Sequence, residues 1–383
     1  MFDVSIYPCD SYDKEVIKKA LIAVLEPIGG LDFIKEGMTV AIKANLVHAS
    51  KPEKAVVAHP VLVTELTKLL LERGAKVIVG DSPGGLYNGA VLRSVYHSTG
   101  MTAVEEAGGH LNRDFSQEEV AYPEGQVLKK FPYTSWLRQA DVIINVCKLK
   151  THGMMGMSCA AKNLFGVIPG TAKPEFHFRY QNHADFARMI LDIDDYVAPT
   201  LAICDAVVGM EGNGPTAGVP RQIGCLLASK SMHKLDLAAA KIIGLEKENV
   251  PTLEAAYERG YIPAVAEDLS IAGDINAFLI SDFDNIATDE SGLFQPKKNK
   301  GFKRVVWTIA EKALASKPKV EKKNCIGCGK CRDLCPAKAI EIKRKKAVIY
   351  HKECIRCFCC QEFCPVSAMV VKRTALAKIV TKL

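Results

Sequence analysis

Between Cys325 and Cys364 the chain repeats one twelve-residue phrase. Cys325-Ile-Gly-Cys-Gly-Lys-Cys-Arg-Asp-Leu-Cys-Pro is echoed 29 residues later by Cys354-Ile-Arg-Cys-Phe-Cys-Cys-Gln-Glu-Phe-Cys-Pro. Each half reads C-x2-C-x2-C-x3-C-P, the run of bacterial two-cluster ferredoxins, in which the fourth cysteine ligates the other cluster. Two-residue gaps let three sulfurs curl around one cubane face while the backbone N–H groups between them point at the sulfides. The fourth cysteine opens a helix that leads away, so its sulfur meets the opposite cubane. On this logic Cys325, Cys328, Cys331 and Cys364 hold one [4Fe-4S] cluster, and Cys354, Cys357, Cys360 and Cys335 hold the second. Gly327 and Gly329 free the first loop to wrap tightly, and Pro336 and Pro365 remove a stray N–H donor. A structural zinc reading would not explain two matching four-cysteine runs. Cys359 fits no place in the pattern and is read as a buried or half-exposed thiol. With all eight ligands supplied by cysteine, no iron is left open to a substrate. The module is therefore a one-electron wire, and any reaction sits elsewhere.

Nine of the fourteen cysteines lie in this segment, too close together for a loop-spanning disulfide framework. Residues 301–383 carry 20 Lys and Arg against 6 Asp and Glu, a net of +14, which leaves −7 of the chain's +7 total for residues 1–300. Thiolate-ligated clusters are net anions that absorb part of this excess, so nucleic-acid binding is not expected. The N-terminus, MFDVSIYPCD, has no basic region followed by an apolar core, and no stretch approaches the roughly 18 apolar residues of a membrane span. The closing ALAKIVTKL is read as a docked or frayed terminal helix rather than a membrane foot. The expectation is a reduced, cytoplasmic protein without an integral membrane segment.

Upstream, short β-branched runs alternate with helical periods, as in a parallel α/β sheet. Strands are expected at Val4–Tyr7, Thr39–Ala44, Lys76–Gly80, Asp141–Val146, Leu201–Ala206 and Ile223–Ser229. Helices are expected from a cap at Asp10 or Ser11 to Leu25, from Pro60 to Glu72, at Ser158–Leu164 and at His233–Ile243. The fold class is α/β, a mostly parallel sheet flanked by helices, plus a small α+β two-cluster ferredoxin-like module. The units are a large domain over 1–284, a basic linker over 285–317 with a helix at Phe302–Ala315, the module over 318–373 with a hairpin at Ile340–Tyr350, and a tail over 374–383.

In open parallel sheets, ligands bind beyond the carboxyl ends of the strands. Four such loops carry polar residues: Lys43, Asn45 and His48; Asp81 and Ser82; Lys148, Lys150, His152, Lys162 and Asn163; and Glu211 with Asn213. A lining of lysine, histidine and amide favours a carboxylate or phosphate, and a helix start at Ser158 would add N–H donors. Lys150, His152 and Lys162 are the catalytic candidates, with His152 the proton donor. Lys43, Asn45, Asp81, Lys148, Asn163 and Glu211 are the binding candidates. Asp81 is equally a turn former, and Asp205 and Glu211 read as turn or cap residues as well as acid–base groups. Cys147 and Cys159 are read as buried thiols before metal ligands. No G-x-G-x-x-G follows a strand and no G-x-x-x-x-G-K-[ST] occurs, so neither a nicotinamide site nor a P-loop is supported.

Lys-Thr-His followed by Ala-Lys-Asn-Leu-Phe-Gly within 148–170, together with Cys204-Asp-Ala-Val-Val-Gly-Met-Glu-Gly-Asn-Gly-Pro, resembles the domain of unknown function 362 family over roughly residues 1–300. The resemblance implies an iron–sulfur protein of anaerobic metabolism, often with a C-terminal two-cluster module, and no assigned reaction. One departure stands out: where the family tends to place an aspartate after Leu227-Ala-Ser229, this chain has Lys230-Ser-Met-His233, with Asp236 later. The combined expectation is an oxidoreductase passing electrons through two clusters to an anionic small molecule, a flavin or another organic cofactor, served by an electron-donor or acceptor protein. The rival readings are a non-catalytic electron-delivery or maturation factor and a non-redox isomerase or transferase with structural clusters.

Overall fold

The computed structural model describes residues 2–285 and 317–372. The linker helix expected at Phe302–Ala315 and the terminal tail lie outside the described residues.

Nine strands form one sheet: β1 (Val4–Pro8), β2 (Thr39–Ala44), β3 (Lys76–Gly80), β4 (His110–Leu111), then, past a separate hairpin of β5 (Gln117–Ala121) and β6 (Lys130–Thr134), β7 (Val142–His152), β8 (Gly156–Ser158), β9 (Leu201–Glu211), β10 (Val219–Ser229) and β11 (Ile271–Ala272). Their order is β11-β1-β10-β9-β7-β2-β3-β4, with β8 folded back on β7. The run β9-β7-β2-β3-β4 is parallel, and β10 joins β1 and β9 antiparallel.

Helices cover both faces: α1 (Lys14–Leu25), α2 (Pro60–Leu71), α3 (Gly89–Thr99) and α4 (Ala103–Glu106) come first, then α5 (Ala160–Leu164), α6 (Lys173–Arg179), α7 (His183–Val197), α8 (Met232–Ile242) and α9 (Pro251–Glu258). The side-chain alternation of β7 separates two cores. Ile144 and Val146 pack with Ile17 and Leu21 of α1 and Leu62 and Leu66 of α2. Cys147 and Leu149 pack with Leu164 of α5, Phe186 of α7 and Leu235 of α8.

Three local expectations change. The α1 cap is Asp13, whose Oδ1 accepts from Glu15 N (2.9 Å) and Val16 N (3.3 Å), rather than Asp10 or Ser11. Beyond Val146 the chain does not become irregular; it stays in β7 as far as His152 because β8 and β9 pair with it there. Ser158 therefore ends a strand, and α5 starts at Ala160 with its first N–H groups taken by Asp236 (2.7 and 3.1 Å) instead of a ligand.

The small module holds β12 (Lys317–Val320) paired with β15 (Met369–Lys372), the expected hairpin β13 (Ile340–Lys343) and β14 (Lys346–Ile349), and the short helices α10 (Lys330–Asp333) and α11 (Cys359–Glu362). Its repeat is written in the backbone as well. Gly327 and Gly329 have φ of 70° and 82°, and their counterparts Arg356 and Phe358 take 57° and 56° without being glycine. Lys338 and Ser367, also 29 residues apart, have 51° and 50°. Holding non-glycine residues in this region costs free energy, which the ligand-loop geometry must offset.

Candidate functional site

The carboxyl ends of β2, β3 and β7 point to one place, and the small module closes it. There a cavity of about 60 Å3 is lined by Asn45, Asp81, Ser82, Lys150, His152, Ser158, Lys162, Asn163 and Lys173 from the large domain, and by Glu362 and Phe363 from the module. Docking is built from specific contacts. Gln361 Nε2 donates to Asn213 O (2.9 Å), Thr216 Oγ1 to Gln361 O (2.9 Å), and Val371 N to Asn213 Oδ1 (3.0 Å). Phe358 enters the same apolar cluster as Met154 and Met155.

The lysines around the strand ends divide into two kinds. Lys43 is fully buried and paired with Asp81 Oδ1 at 2.7 Å, while Asp81 also accepts from Leu46 N and Ser82 N at 2.8 Å. Lys148 is paired with Asp205 Oδ2 at 2.9 Å and donates to Tyr12 Oη at 2.7 Å. Charges spent on buried carboxylates hold β2, β3, β7 and β9 together and are not free for a ligand. Lys43 and Lys148 thus stand outside the cavity lining. Glu211 stands outside it too, accepting from Asp284 N at 3.2 Å and lying 3.7 Å from Arg221. Asp205 is a structural anion, accepting from Tyr12, Lys148 and His59 N.

Lys150, Lys162 and Lys173 are the second kind. Lys150 Nζ donates to Asn45 Oδ1 (2.8 Å) and Val56 O (2.7 Å), leaving one of its three donors. Burial, with Lys148 and Lys162 adding to it, brings its ammonium down to about 7. Lys162 sits over the Phe165 ring at 5.0 Å. Lys173 donates to Ser82 O, and burial brings it down to about 8 against the pull of Asp81. Asn163 organises the floor: its Nδ2 donates to Asn145 Oδ1 (2.7 Å), and its Oδ1 accepts from Asn45 Nδ2 (3.0 Å) and Lys43 Nζ (3.2 Å).

His152 Nδ1 accepts from Met154 N and Met155 N, both at 3.2 Å, so its proton belongs on Nε2, which faces Glu362 Oε1 at 3.0 Å. Burial and Lys162 keep the ring neutral by lowering its pKa. Burial opposes ionisation of Glu362, but the Lys162 ammonium, helped by the His152 Nε2–H, outweighs it and holds the carboxyl well below its ordinary value. His177, fully buried against Phe186 with ring centroids 4.5 Å apart, has a pKa pushed by burial to about 3, and neither ring nitrogen has a partner among the described residues. Lys173, His177, Glu362 and Phe363 were not among the sequence candidates. Only Lys173 left a trace, as one more lysine near the Lys-Asn-Leu-Phe-Gly segment.

In the module, Cys331 lies within electrostatic reach of Cys364, Cys328 and Cys325, Cys354 of Cys357 and Cys335, and Cys360 of cysteines from both repeats. Backbone N–H groups already aim at sulfur: Ala347 at Cys325 (3.4 Å), Ala339 at Cys335 (3.3 Å), Arg356 at Cys354 (3.4 Å) and Ala368 at Cys364 (3.1 Å). Cys359 is buried.

Residues 40–241, more than half of the chain, match the family described as domain of unknown function (DUF362), and residues 317–365 match the 4Fe-4S dicluster domain. The module thus carries two [4Fe-4S] clusters. The thylakoid-associated protein sll1697 of Synechocystis is 32% identical over 271 residues, covering 69% of this chain and 81% of that protein. Among solved structures, the lactate racemase apoprotein of Thermoanaerobacterium thermosaccharolyticum overlaps at 16% identity with a TM-score of 0.36, covering 55% of this chain and 51% of that one. A structural-genomics protein of Thermotoga maritima overlaps at 15% identity with a TM-score of 0.35, covering 56% and 55%. This chain therefore spans about half the length of these solved proteins. No helix among the described residues is long and apolar enough to cross a membrane.

Proposed function

The chain belongs to the DUF362 family and carries a dicluster module, and from that premise we propose that it is an iron–sulfur oxidoreductase acting on a small anion held where the module meets the α/β domain. The observation that carries this reading is the approach of Glu362, which lies between Cys360 and Cys364, to His152 in the wall of a lysine-lined cavity. In this reading Cys325, Cys328, Cys331 and Cys364 ligate one cluster, and Cys354, Cys357, Cys360 and Cys335 the other. The clusters supply single electrons next to the cavity.

The remaining work falls to side chains. Lys150, Lys162 and Lys173 bind the anion, with Asn45 and Asp81 fixing their surroundings. His152 offers its Nε2–H to the anion as a hydrogen-bond donor, Glu362 orients the ring, and the Lys150 ammonium, brought down to about 7, gives up the proton. A cavity of about 60 Å3 takes a few waters or one carboxylate-sized group, which favours a small acid over a flavin at this seam. A donor protein would meet the module at its outer edge, where Cys328 and Ile326 are exposed. The same exposed edge is what favours the second reading, an electron-delivery factor for a partner protein. We keep residues 1–284 and 318–373 as the two folding units, joined by 285–317, in a cytoplasmic protein.

The test is anaerobic stopped-flow mixing of the dithionite-reduced, full-length protein with small carboxylates and phosphates, preceded by mass spectrometry of any molecule retained on purification. A substrate should reoxidise the clusters in the wild type and fail to do so in K150A and K162A. Equal reoxidation in both variants would remove these lysines from the site, and reoxidation by a protein partner alone would favour the delivery factor.

A further inference from the structure

On the face of the sheet opposite α1 and α2, three thiols from three elements converge. Cys147 of β7 and Cys204 of β9 are register partners, and Cys159 immediately precedes α5. Cys147 Sγ and Cys159 Sγ are 3.5 Å apart, as are Cys159 Sγ and Cys204 Sγ, and all three sulfurs lie within 4.8 Å of one another. Each residue is buried. Two other core cysteines fall outside the group: Cys9 gives its thiol to Ser11 O, and Cys225 sits across the ladder from Ala206. A disulfide would use two of the three sulfurs and leave the third over.

We propose that Cys147, Cys159 and Cys204 form a trithiolate site for one closed-shell thiophilic cation, Zn2+ or Cu+, which pins α5 to β7 and β9 beneath the cavity. A metal–sulfur bond of about 2.3 Å spaces thiolates about 3.8–4.0 Å apart, so the sulfurs need to open by only a few tenths of an ångström. Soft sulfur donors without nitrogen select Zn2+, Cu+ or iron–sulfur units, and three sulfurs this close suit a single ion rather than a cubane. On binding, three S–H protons leave to solvent as three metal–sulfur bonds form, with no change of oxidation state. The nearest cations, each already paired with a carboxylate, only temper the resulting negative charge. Lys43 lies within electrostatic reach of Cys147, and Lys148 of Cys204. Asp236, anchored by Ala160 N and Ala161 N, flanks Cys159 but lies outside the three-sulfur group, so the ion is held by the three thiolates. Because α5 carries Lys162 and Asn163, the ion would set the position of both. The site does not depend on the catalytic reading above.

The full-length protein, purified anaerobically without metal-affinity resin, is incubated with ZnCl2 or with a Cu+ acetonitrile complex, desalted, and assayed by plasma mass spectrometry with iron measured in the same sample. We expect about one Zn or Cu per chain, falling about tenfold in C159A and C204A while iron is unchanged. X-ray absorption on the wild type should show about three sulfur neighbours at about 2.3 Å. A wild type that retains neither metal, variants that retain it fully, or ligation by nitrogen and oxygen alone would each overturn the assignment. The absorption measurement needs no variant to fold.

Discussion

Glu362 Oε1 stands 3.0 Å from His152 Nε2, tying the last helix of the iron–sulfur module to the end of the long central strand. His152 is buried and Glu362 half-buried, and the carboxylate is also the counter-charge for Lys162. Neutralising it leaves cations without compensation in a closed cavity. E362Q should therefore keep its iron and lose about 3–5 kcal/mol of stability, measured by anaerobic urea unfolding. A loss below 1 kcal/mol would mean that the contact is not formed in solution.

Lys150 makes the cavity pH-sensitive. Its protonated form attracts an anion, so the affinity for a small carboxylate should be full below about pH 7 and decline as pH rises through that value. The linkage to stability has the opposite sense. Between about 7 and the ordinary 10.5 of lysine, the unfolded chain holds a proton that the folded chain does not, so this group's penalty is complete below pH 7 and shrinks as pH rises. Calorimetric titration across this range, with K150M flattening the profile, checks both the residue and the sign.

Asp205 separates scaffold from site. D205N removes the counter-charge of buried Lys148 and should cost about 3–5 kcal/mol in urea unfolding. Affinity for the anion should change little, because neither residue lines the cavity. A mutant that folds normally but binds no anion would place this pair in the site.

Gly84 packs directly against Phe363 of the module. A Cβ there would fall 1.9 Å from Phe363 Cε1, so G84A must push the ring, and the helix end bearing it, away from the cavity. The iron content should hold while reoxidation of the reduced protein by its substrate slows about 100-fold, the usual penalty for an ångström-scale misplacement.

Oxygen-free material should contain about eight iron and eight acid-labile sulfide per chain, lost together on exposure to air and chelator. A colourless protein holding zinc in the module would undo the electron-transfer reading.

The iron–sulfur module was legible from spacing alone, because its ligand geometry is local: four cysteines within eleven residues set each loop, and the 29-residue repeat recurs in the backbone angles. The strands Thr39–Ala44 and Lys76–Gly80 were equally plain, since a buried parallel strand shows as a short β-branched run. Lys148, Lys150 and His152 resembled a loop because charged residues seldom sit inside a strand. What keeps them there are partners 57 residues away at Asp205, 105 away at Asn45, and far along the chain at Glu362.

Residue types and spacings were enough to establish a two-cluster module, an α/β domain and a group of lysines beyond the strand ends. Which lysines are scaffold and which face the cavity, and that Glu362 and Phe363 complete its wall, followed only from folding. The reason is that the price of a buried charge depends on the partner brought beside it, and sheet pairing and docking of the module select that partner across long stretches of chain.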